Sequence, residues 1–421
     1  MNAALWLTLA AFWRTRDRSR RRRTRAALLE WQAGRLARFL RKTAPRASAF
    51  RDIAGLPLTD YPVMDKAALM ESFDRYNALA IPADAAWQAF ETTGRMGRYT
   101  VGASTGTSGN RGLYLVSDPE RYLWLGTLLA KALPDMMTAR YRVAVLLPRG
   151  SRLYDAANES GRLTLGFFDL TNGLDCQFAA IAAFRPNVLV APPHALIQLA
   201  RADLPLAPRE VFSGAEVLDP ADRAEIGSRF GVTVREIYMA TEGLLGVACA
   251  HGTLHLCEDC VAFEWETEAD LSVPLITDFT RRTQVMIRYR MNDLLRLSPH
   301  PCPCGSPLQA VSEIAGRSDD TFRLPGRNGT PVTITPDILR NAIVGASRAI
   351  TDFRLEQTGC NTVTLSLPLH LAPELPAARS ALESLFRRLG AAPDVIAAAA
   401  PLAIPQGGKL RRVIHTQGQP G

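Results

Sequence analysis

The sequence predicts an α/β protein. A large N-terminal domain with mostly parallel sheets carries a strand-rich subdomain, and a small α+β domain follows at the C-terminus. Three observations predict it. From residue 120 to 240, short apolar β-rich runs alternate with segments of helical periodicity. From 252 to 300 the pattern becomes strand after strand. Beyond Gly316-Arg317-Ser318-Asp319-Asp320, about 100 residues return to mixed helix and strand, the size of a small domain.

Residues 1–26 read as an apolar and basic N-terminal arm. Met1 to Trp13 are apolar, and Arg14, Arg16, Arg18, Arg20, Arg21, Arg22, Arg23 and Arg25 follow against Asp17. A secretory signal has charge first and apolar core second, so the order is reversed. The run is also shorter than the ~20 residues that span a bilayer. The favoured reading is a helix packed on the body with a solvated basic face. The other is weak association of residues 1–26 with an anionic membrane surface, Trp6 and Trp13 lying beside the arginines.

Residues 27–317 make the large domain. A helix is expected over 26–50, where Leu28, Leu29, Trp31, Leu36, Phe39 and Leu40 recur at helical spacing, and a short one over 64–73. Strands are expected at Arg142–Leu147, Leu163–Leu170, Asn187–Ala191 and Val232–Tyr238, with helices at Phe178–Phe184, Ala195–Ala202 and Pro220–Phe230 between them. In the small domain, 318–421, helices are expected at Pro336–Ala346 and Pro376–Leu389, with strands at Phe353–Gln357 and Thr362–Leu367. Ala397–Ala400 reads as merely alanine-rich.

The bulk numbers fit a globular chain: 421 residues, 47% hydrophobic and 21% charged. The net charge of +8 is concentrated in the arm, so the body is close to neutral and no nucleic-acid partner is expected. Seven cysteines without a signal peptide argue for a reducing compartment, hence the cytoplasm.

Ser104-Thr105-Gly106-Thr107-Ser108-Gly109-Asn110-Arg111-Gly112 packs glycines and hydroxyls directly before an apolar run. Successive free N–H groups in such a loop can wrap a phosphate, although no Gly-Lys-Ser/Thr closes it as in a Walker loop. By itself this is an ordinary flexible loop. Five further segments follow in order: Phe212-Ser213-Gly214-Ala215-Glu216; Tyr238-Met239-Ala240-Thr241-Glu242-Gly243; Arg288-Tyr289-Arg290-Met291-Asn292-Asp293; Gly316-Arg317-Ser318-Asp319-Asp320; and Pro405-Gln406-Gly407-Gly408-Lys409.

In order and spacing this set, over roughly residues 30 to 415, resembles the adenylate-forming superfamily of acyl-CoA synthetases, peptide-synthetase adenylation domains and luciferases. The Arg-Tyr-Arg-x-x-Asp segment, the Cys-Pro-Cys-Gly beyond it and the Gly-Arg-x-Asp-Asp junction are most similar to the phenylacetate–CoA ligase-like branch and its coenzyme F synthetase-related offshoot. The resemblance implies ATP-dependent joining of a carboxylic acid, an aromatic one by the habit of that branch, to AMP with release of pyrophosphate. The acyl group then passes to CoA, a carrier-protein thiol or an amine.

The same resemblance implies roles. Ser104, Thr105, Gly106, Thr107, Ser108, Gly109 and Arg111 cradle the β- and γ-phosphates. Ser213, Gly214, Ala215, Glu216, Tyr238 and Met239 border the adenine. Thr241 meets the α-phosphate and Glu242 holds Mg²⁺. Asp293 accepts from the ribose hydroxyls, and Arg317 reaches ribose or phosphate. Lys409 bridges carboxylate and α-phosphate as negative charge develops. Asp319 or Asp320 serves as the hinge of a mobile C-terminal domain. The carboxylate pocket is expected near His194, Ser213 and Met239-Ala240. The chain departs from the family where Asn110-Arg111 follows the loop's last family glycine in place of a lysine, and where Met291-Asn292 stands for Thr-Gly.

Two cysteine sets suit a structural zinc ion. By spacing alone, Cys257-x-x-Cys260 and Cys302-x-Cys304 would offer four thiolates. The phenylacetate-ligase-like relatives imply Cys249, His255, Cys302 and Cys304 instead, and this set is favoured. A metal-free cluster of reduced thiols is the third reading. Two other functions compete with acid ligation: a nucleotidyltransferase that leaves AMP on a non-carboxylate acceptor, and a non-catalytic accessory protein.

Overall fold

The computed structural model describes residues 3–104, 111–147, 162–171, 173–268, 270–347, 349–402 and 411–416. The chain divides into two compact units. One comprises Met1–Met291 with Leu297–Ser312, the other Asn292–Arg296 with Glu313–Gly421.

The larger unit is organised by a mixed sheet. Its parallel strands are Tyr141–Leu147, Leu163–Asp169, Val188–Ala191, Glu210–Gly214 and Val234–Ala240, with Leu163–Asp169 at the edge beside Tyr141–Leu147. Direction then reverses. Gly243–Ala248 pairs antiparallel with Val234–Ala240, and Leu254–Leu256 pairs antiparallel with Gly243–Ala248. Val261–Glu268 and Leu271–Asp278 form a long antiparallel ribbon.

Alternation along the parallel strands explains why the sheet sits centrally. Val143, Val145 and Phe212 face one buried cluster, whereas Ala144, Leu146 and Val211 face another. Period-two side chains that are apolar on both sides need cover on both faces. Helices Pro193–Arg201 and Pro220–Phe230 contribute Leu196, Leu199 and Ile226 to the second cluster. Helix Asp118–Ala132 contributes Leu125 and Leu129 to the first.

The N-terminal arm is the helix Ala3–Arg21, packed on helix Asp118–Ala132 through Ala4, Thr8, Ala11, Phe12 and Thr15. The crossing is close at Gly126, where an added Cβ would lie 2.2 Å from the Thr8 carbonyl oxygen. Arg18 donates to Asp259, and Arg25 donates to Glu258 from both terminal guanidinium nitrogens, Nη1 and Nη2. Trp6 and Trp13 stay exposed. Among the described residues, no helix is long and apolar enough to cross a membrane. The helix expected over 26–50 ends at Lys42, where Pro45 removes a backbone donor and short 3₁₀ turns take over.

The second unit is α+β. Its sheet runs in the order Asp394–Ala399, Thr362–Leu367, Arg354–Gln357 and Val413–His415. Helices Pro336–Ala346 and Leu375–Leu389 cover it with Leu339, Ile343, Leu382 and Phe386. The strand Asp394–Ala399 lies where the sequence reads as merely alanine-rich.

Candidate active site

Three neighbouring parallel strands end side by side. Ala191 pairs with Ser213, and Gly214 with Ile237, so the segments that follow Val188–Ala191, Glu210–Gly214 and Val234–Ala240 share one edge of the sheet. Those segments carry His194, Ser213 to Glu216, and Tyr238 to Glu242. In open α/β sheets, ligands bind in the crevice at such carboxyl ends.

Thr241 and Glu242 form the tight turn between Val234–Ala240 and Gly243–Ala248. Gly243 sits at φ +150°, and a Cβ there would press 3.2 Å from Asp278 Oδ2. That position needs glycine. The Glu242 carboxylate is buried and oriented from both sides. Thr241 Oγ1 donates to Oε2 at 2.8 Å, and the Tyr289 hydroxyl donates to Oε1 at 3.0 Å. Arg281 is 0% exposed, and its guanidinium donates to the Glu242 carbonyl at 3.0 Å while lying over the Trp124 ring. Glu120 in turn accepts from the backbone N–H groups of Arg282 and Thr283, fixing the segment that carries Arg281. Hydrogen bonds from Ser117, Thr283 and Arg282 outweigh the burial that opposes its charge, so the Glu120 carboxyl lies below its ordinary value.

His194 Nδ1 lies 2.8 Å from Glu216 Oε2, joining two strand ends. Between them Ala215 takes a left-handed φ of +68°, and Gly214 approaches the Ile237 carbonyl so closely that a Cβ would stand 3.2 Å from it. Ser213 Oγ is buried with no partner among the described residues. A buried hydroxyl with spare donor and acceptor capacity beside a tight turn suits a polar ligand edge.

The hairpin Tyr99–Ala103/Leu113–Ser117 is closed at its base by Ser104, which exchanges backbone and side-chain hydrogen bonds with Gly112 at 2.8 Å. Arg111 leans back onto Trp87 and Phe90 and donates to the Ser104 carbonyl. Thr105, Gly106, Thr107, Ser108 and Gly109 lie outside the described residues, as does Lys409.

In the Arg-Tyr-Arg segment the two arginines pair with the neighbouring ribbon, Arg288 with Glu264 and Arg290 with Glu266, which leaves Tyr289 pointing at Glu242. In the second unit, Asp293 and Arg317 stand 3.8 Å apart. Asn292 Nδ2 donates to Asp319 at 2.6 Å, and the Ser318 N–H donates to the Asn292 carbonyl. Asp320 is paired with Arg411, and burial raises its carboxyl above the ordinary value. Arg411 is two residues from Lys409.

Cys249, His255, Cys302 and Cys304 bring their ligand atoms within 4.8 Å of one another. Cys249 Sγ and Cys302 Sγ are 3.8 Å apart, and Cys304 Sγ lies 3.3 Å from His255 Nε2. A tetrahedral ion with bonds of about 2.3 Å to sulfur has edges of about 3.8 Å, which the Cys249–Cys302 spacing matches, and the whole donor set lies within 4.8 Å, so small side-chain shifts would close it around zinc. His255 Nδ1 is within 3.1 Å of the Leu308 carbonyl, which leaves Nε2 to face the sulfurs. Burial opposes ionisation of Cys302, but donors from Thr253, Cys304 and His255 bring its thiol to about 6. Cys257 and Cys260 lie elsewhere, with Lys131, Asp259 and Arg18, and burial pushes the Cys260 thiol up to about 12.

The sequence alone assigns no role to Tyr289 or Arg281. No local signal separates Arg281 from its neighbours Arg282, Arg288 and Arg290. Glu120 was readable as the fourth residue of a Ser117-x-x-Glu120 capping box.

No family model matches the chain. It is 26% identical over 187 residues to a phenylacetate–coenzyme A ligase of Pseudomonas putida, covering 39% of this chain and 41% of that protein. To the Escherichia coli (strain K12) phenylacetate–coenzyme A ligase it is 28% identical over 141 residues, 30% of this chain and 31% of the relative. The matches thus span well under half the length of these curated relatives. Among solved structures, a 2-hydroxyisobutyryl-CoA ligase in the postadenylation state, in complex with R3-HIB-AMP, is similar at TM-score 0.68 and 17% identity, over 94% of this chain and 92% of that one. An anthranilate CoA ligase in complex with anthranoyl-AMP is similar at TM-score 0.52 and 12% identity, over 74% and 65% of the two chains.

Proposed function

We infer that this chain, a phenylacetate–CoA ligase-like protein with the adenylate-forming fold, joins a carboxylic acid to AMP at the expense of ATP and passes the acyl group to CoA. The observation that carries this reading is Glu242, buried at a strand-end turn and aligned by Thr241 and Tyr289. A fixed carboxylate suits Mg²⁺, which takes one or two protein carboxylates and fills its sphere with phosphate oxygens and water.

The other roles are proposed on the same basis. The turn of Ser213, Gly214, Ala215 and Glu216, with Tyr238 and Met239, borders the adenine, and the Ser213 hydroxyl, which has no partner among the described residues, is available to it. Thr241 meets the α-phosphate. Asp293 receives the ribose hydroxyls, with Arg317 beside it to counter phosphate or carboxylate charge. Ser104 and Arg111 frame the phosphate loop, and Lys409 stabilises the charge that develops as the acid attacks. Asp319 and Asp320 form the hinge. Zinc held by Cys249, His255, Cys302 and Cys304 would act structurally, tying the loop at 302–308 to the strands at 249–255. Seven free thiols suit a reducing cytoplasm.

An aromatic acid is the proposed substrate class, supported by the phenylacetate ligases among the relatives. CoA is the proposed acceptor, and the carrier-protein and amine alternatives are tested with it. Incubation with ATP, Mg²⁺ and an acid should release AMP and pyrophosphate together, with an acyl-CoA forming only when CoA is present. AMP retained on the substrate instead would favour nucleotidyl transfer.

A further inference from the structure

The arginine arm builds a cavity that shares no lining residue with the strand-end segments at 194, 213–216 and 238–242. Its volume is about 370 Å³, within the size range of small-molecule sites. One wall is the end of the first helix and the turn after it, with Arg16, Arg18, Arg20, Arg22 and Arg23. The other is the loop at 304–308 that follows the Cys302/Cys304 pair. Ser19 and Ser306 add hydroxyls.

The charge balance of this cavity is one-sided. Asp259 is the carboxylate in its lining, and it is already shared between Arg18 and the buried Lys131. Arg16, Arg20, Arg22 and Arg23 have no carboxylate partner among the described residues. The guanidinium groups of Arg18 and Arg22 both rest on one indole, 4.8 Å and 4.9 Å from the Trp31 ring centre. Two like charges held on one ring are pre-positioned at an electrostatic cost that an anion would remove. Planar guanidinium forks match phosphate oxygens two at a time. A solvated basic face would need neither the stacking ring nor the concave opposing wall.

We propose that this cavity is a second ligand site, for a soluble small molecule bearing a phosphate or diphosphate group. The concave, two-walled shape favours a soluble ligand over a bilayer surface. The site does not depend on the adenylation reading.

Inorganic pyrophosphate is the probe, used with the full-length chain. Arginine-specific labelling by phenylglyoxal, read by mass spectrometry, locates the binding without any mutation. Saturating pyrophosphate should slow labelling of Arg16, Arg20 and Arg23 while exposed Arg46, Arg51 and Arg388 react as before. Pyrophosphate held at the strand-end site would not protect the arm, so the two sites are distinguished. By calorimetry, the Arg16→Gln/Arg20→Gln/Arg23→Gln variant should bind roughly a hundredfold more weakly at this site. The charge-matched Arg46→Gln/Arg51→Gln/Arg388→Gln variant should bind as wild type. No protection of the arm, equal protection of the control arginines, or equal weakening in both variants would overturn the proposal. So would binding to phosphatidic acid vesicles without protection by pyrophosphate, which would mark a membrane face instead.

Discussion

Removing one hydroxyl, Tyr289→Phe, isolates the alignment of Glu242. The donor is 3% exposed and its acceptor 9%, so water cannot readily replace the 3.0 Å hydrogen bond. A hydrogen bond to a charged group contributes about 1.5–3 kcal/mol. Glu242 keeps its bond from Thr241, so the carboxylate should stay buried but swing about one remaining contact. If the alignment is expressed in the transition state, that energy converts to a fall in rate of about 10- to 100-fold. The assay is acid-dependent exchange of pyrophosphate into ATP, measured for wild type, Tyr289→Phe, Glu242→Gln and the double variant. Tyrosine acting through the carboxylate predicts strong non-additivity, the second change costing little once Glu242 is gone. Unfolding in urea separates this from a general loss of stability. Additive losses, or a loss of stability with unchanged exchange, would refute the alignment argument.

Three further outcomes follow from the geometry. Metal analysis of purified protein should find one zinc per chain, lost in Cys302→Ser and retained in Cys257→Ser/Cys260→Ser; equal loss in both would move the site to the other cysteine pair. Gly126→Ala places a Cβ 2.2 Å from the Thr8 carbonyl oxygen and should weaken docking of the first helix by about 1–3 kcal/mol. Hydrogen exchange should then rise across Ala3–Arg21 and not across Val234–Ala240. The folded Glu120 carboxyl lies below its ordinary 4.5, so its contribution to stability is present above that pH and lost as pH falls through the folded value. The stability advantage of wild type over Glu120→Gln should therefore shrink on acidification below that point, as followed by urea unfolding across pH, and an advantage that grows there would contradict the assigned sign.

Much of this architecture was written locally. Pro220–Phe230 is bounded by proline in its first turn and Gly231 in the left-handed conformation at its end, and both signals are visible in the sequence. Asp394–Ala399 was not legible. Its alanines carry no strand preference, and the strand exists because Thr362–Leu367 offers it a parallel partner. The arm was ambiguous because tryptophan beside arginine serves a bilayer or a protein surface equally well. Gly126, more than a hundred residues away, decided where its helix packs.

The candidate site shows the same division. The turn holding Glu242 and the candidate cysteine ligands could be read from motif resemblance, whereas Arg281 and Tyr289 reach Glu242 through contacts that no local pattern encodes. Spacing alone pointed to Cys257 and Cys260 with Cys302 and Cys304, and the resemblance to Cys249 and His255 in their place. The fold brought Cys249 and His255 to Cys302 and Cys304, while Cys257 and Cys260 turned toward Lys131 and Asp259.

The most direct test of the account is exchange of labelled pyrophosphate into ATP with Mg²⁺ across a panel of aromatic and aliphatic acids, for wild type beside Glu242→Gln and Lys409→Ala. Exchange that requires one class of acid and falls sharply in both variants is the predicted result. Exchange with no acid at all, or full exchange in the Glu242→Gln variant, would contradict adenylation at this strand-end site.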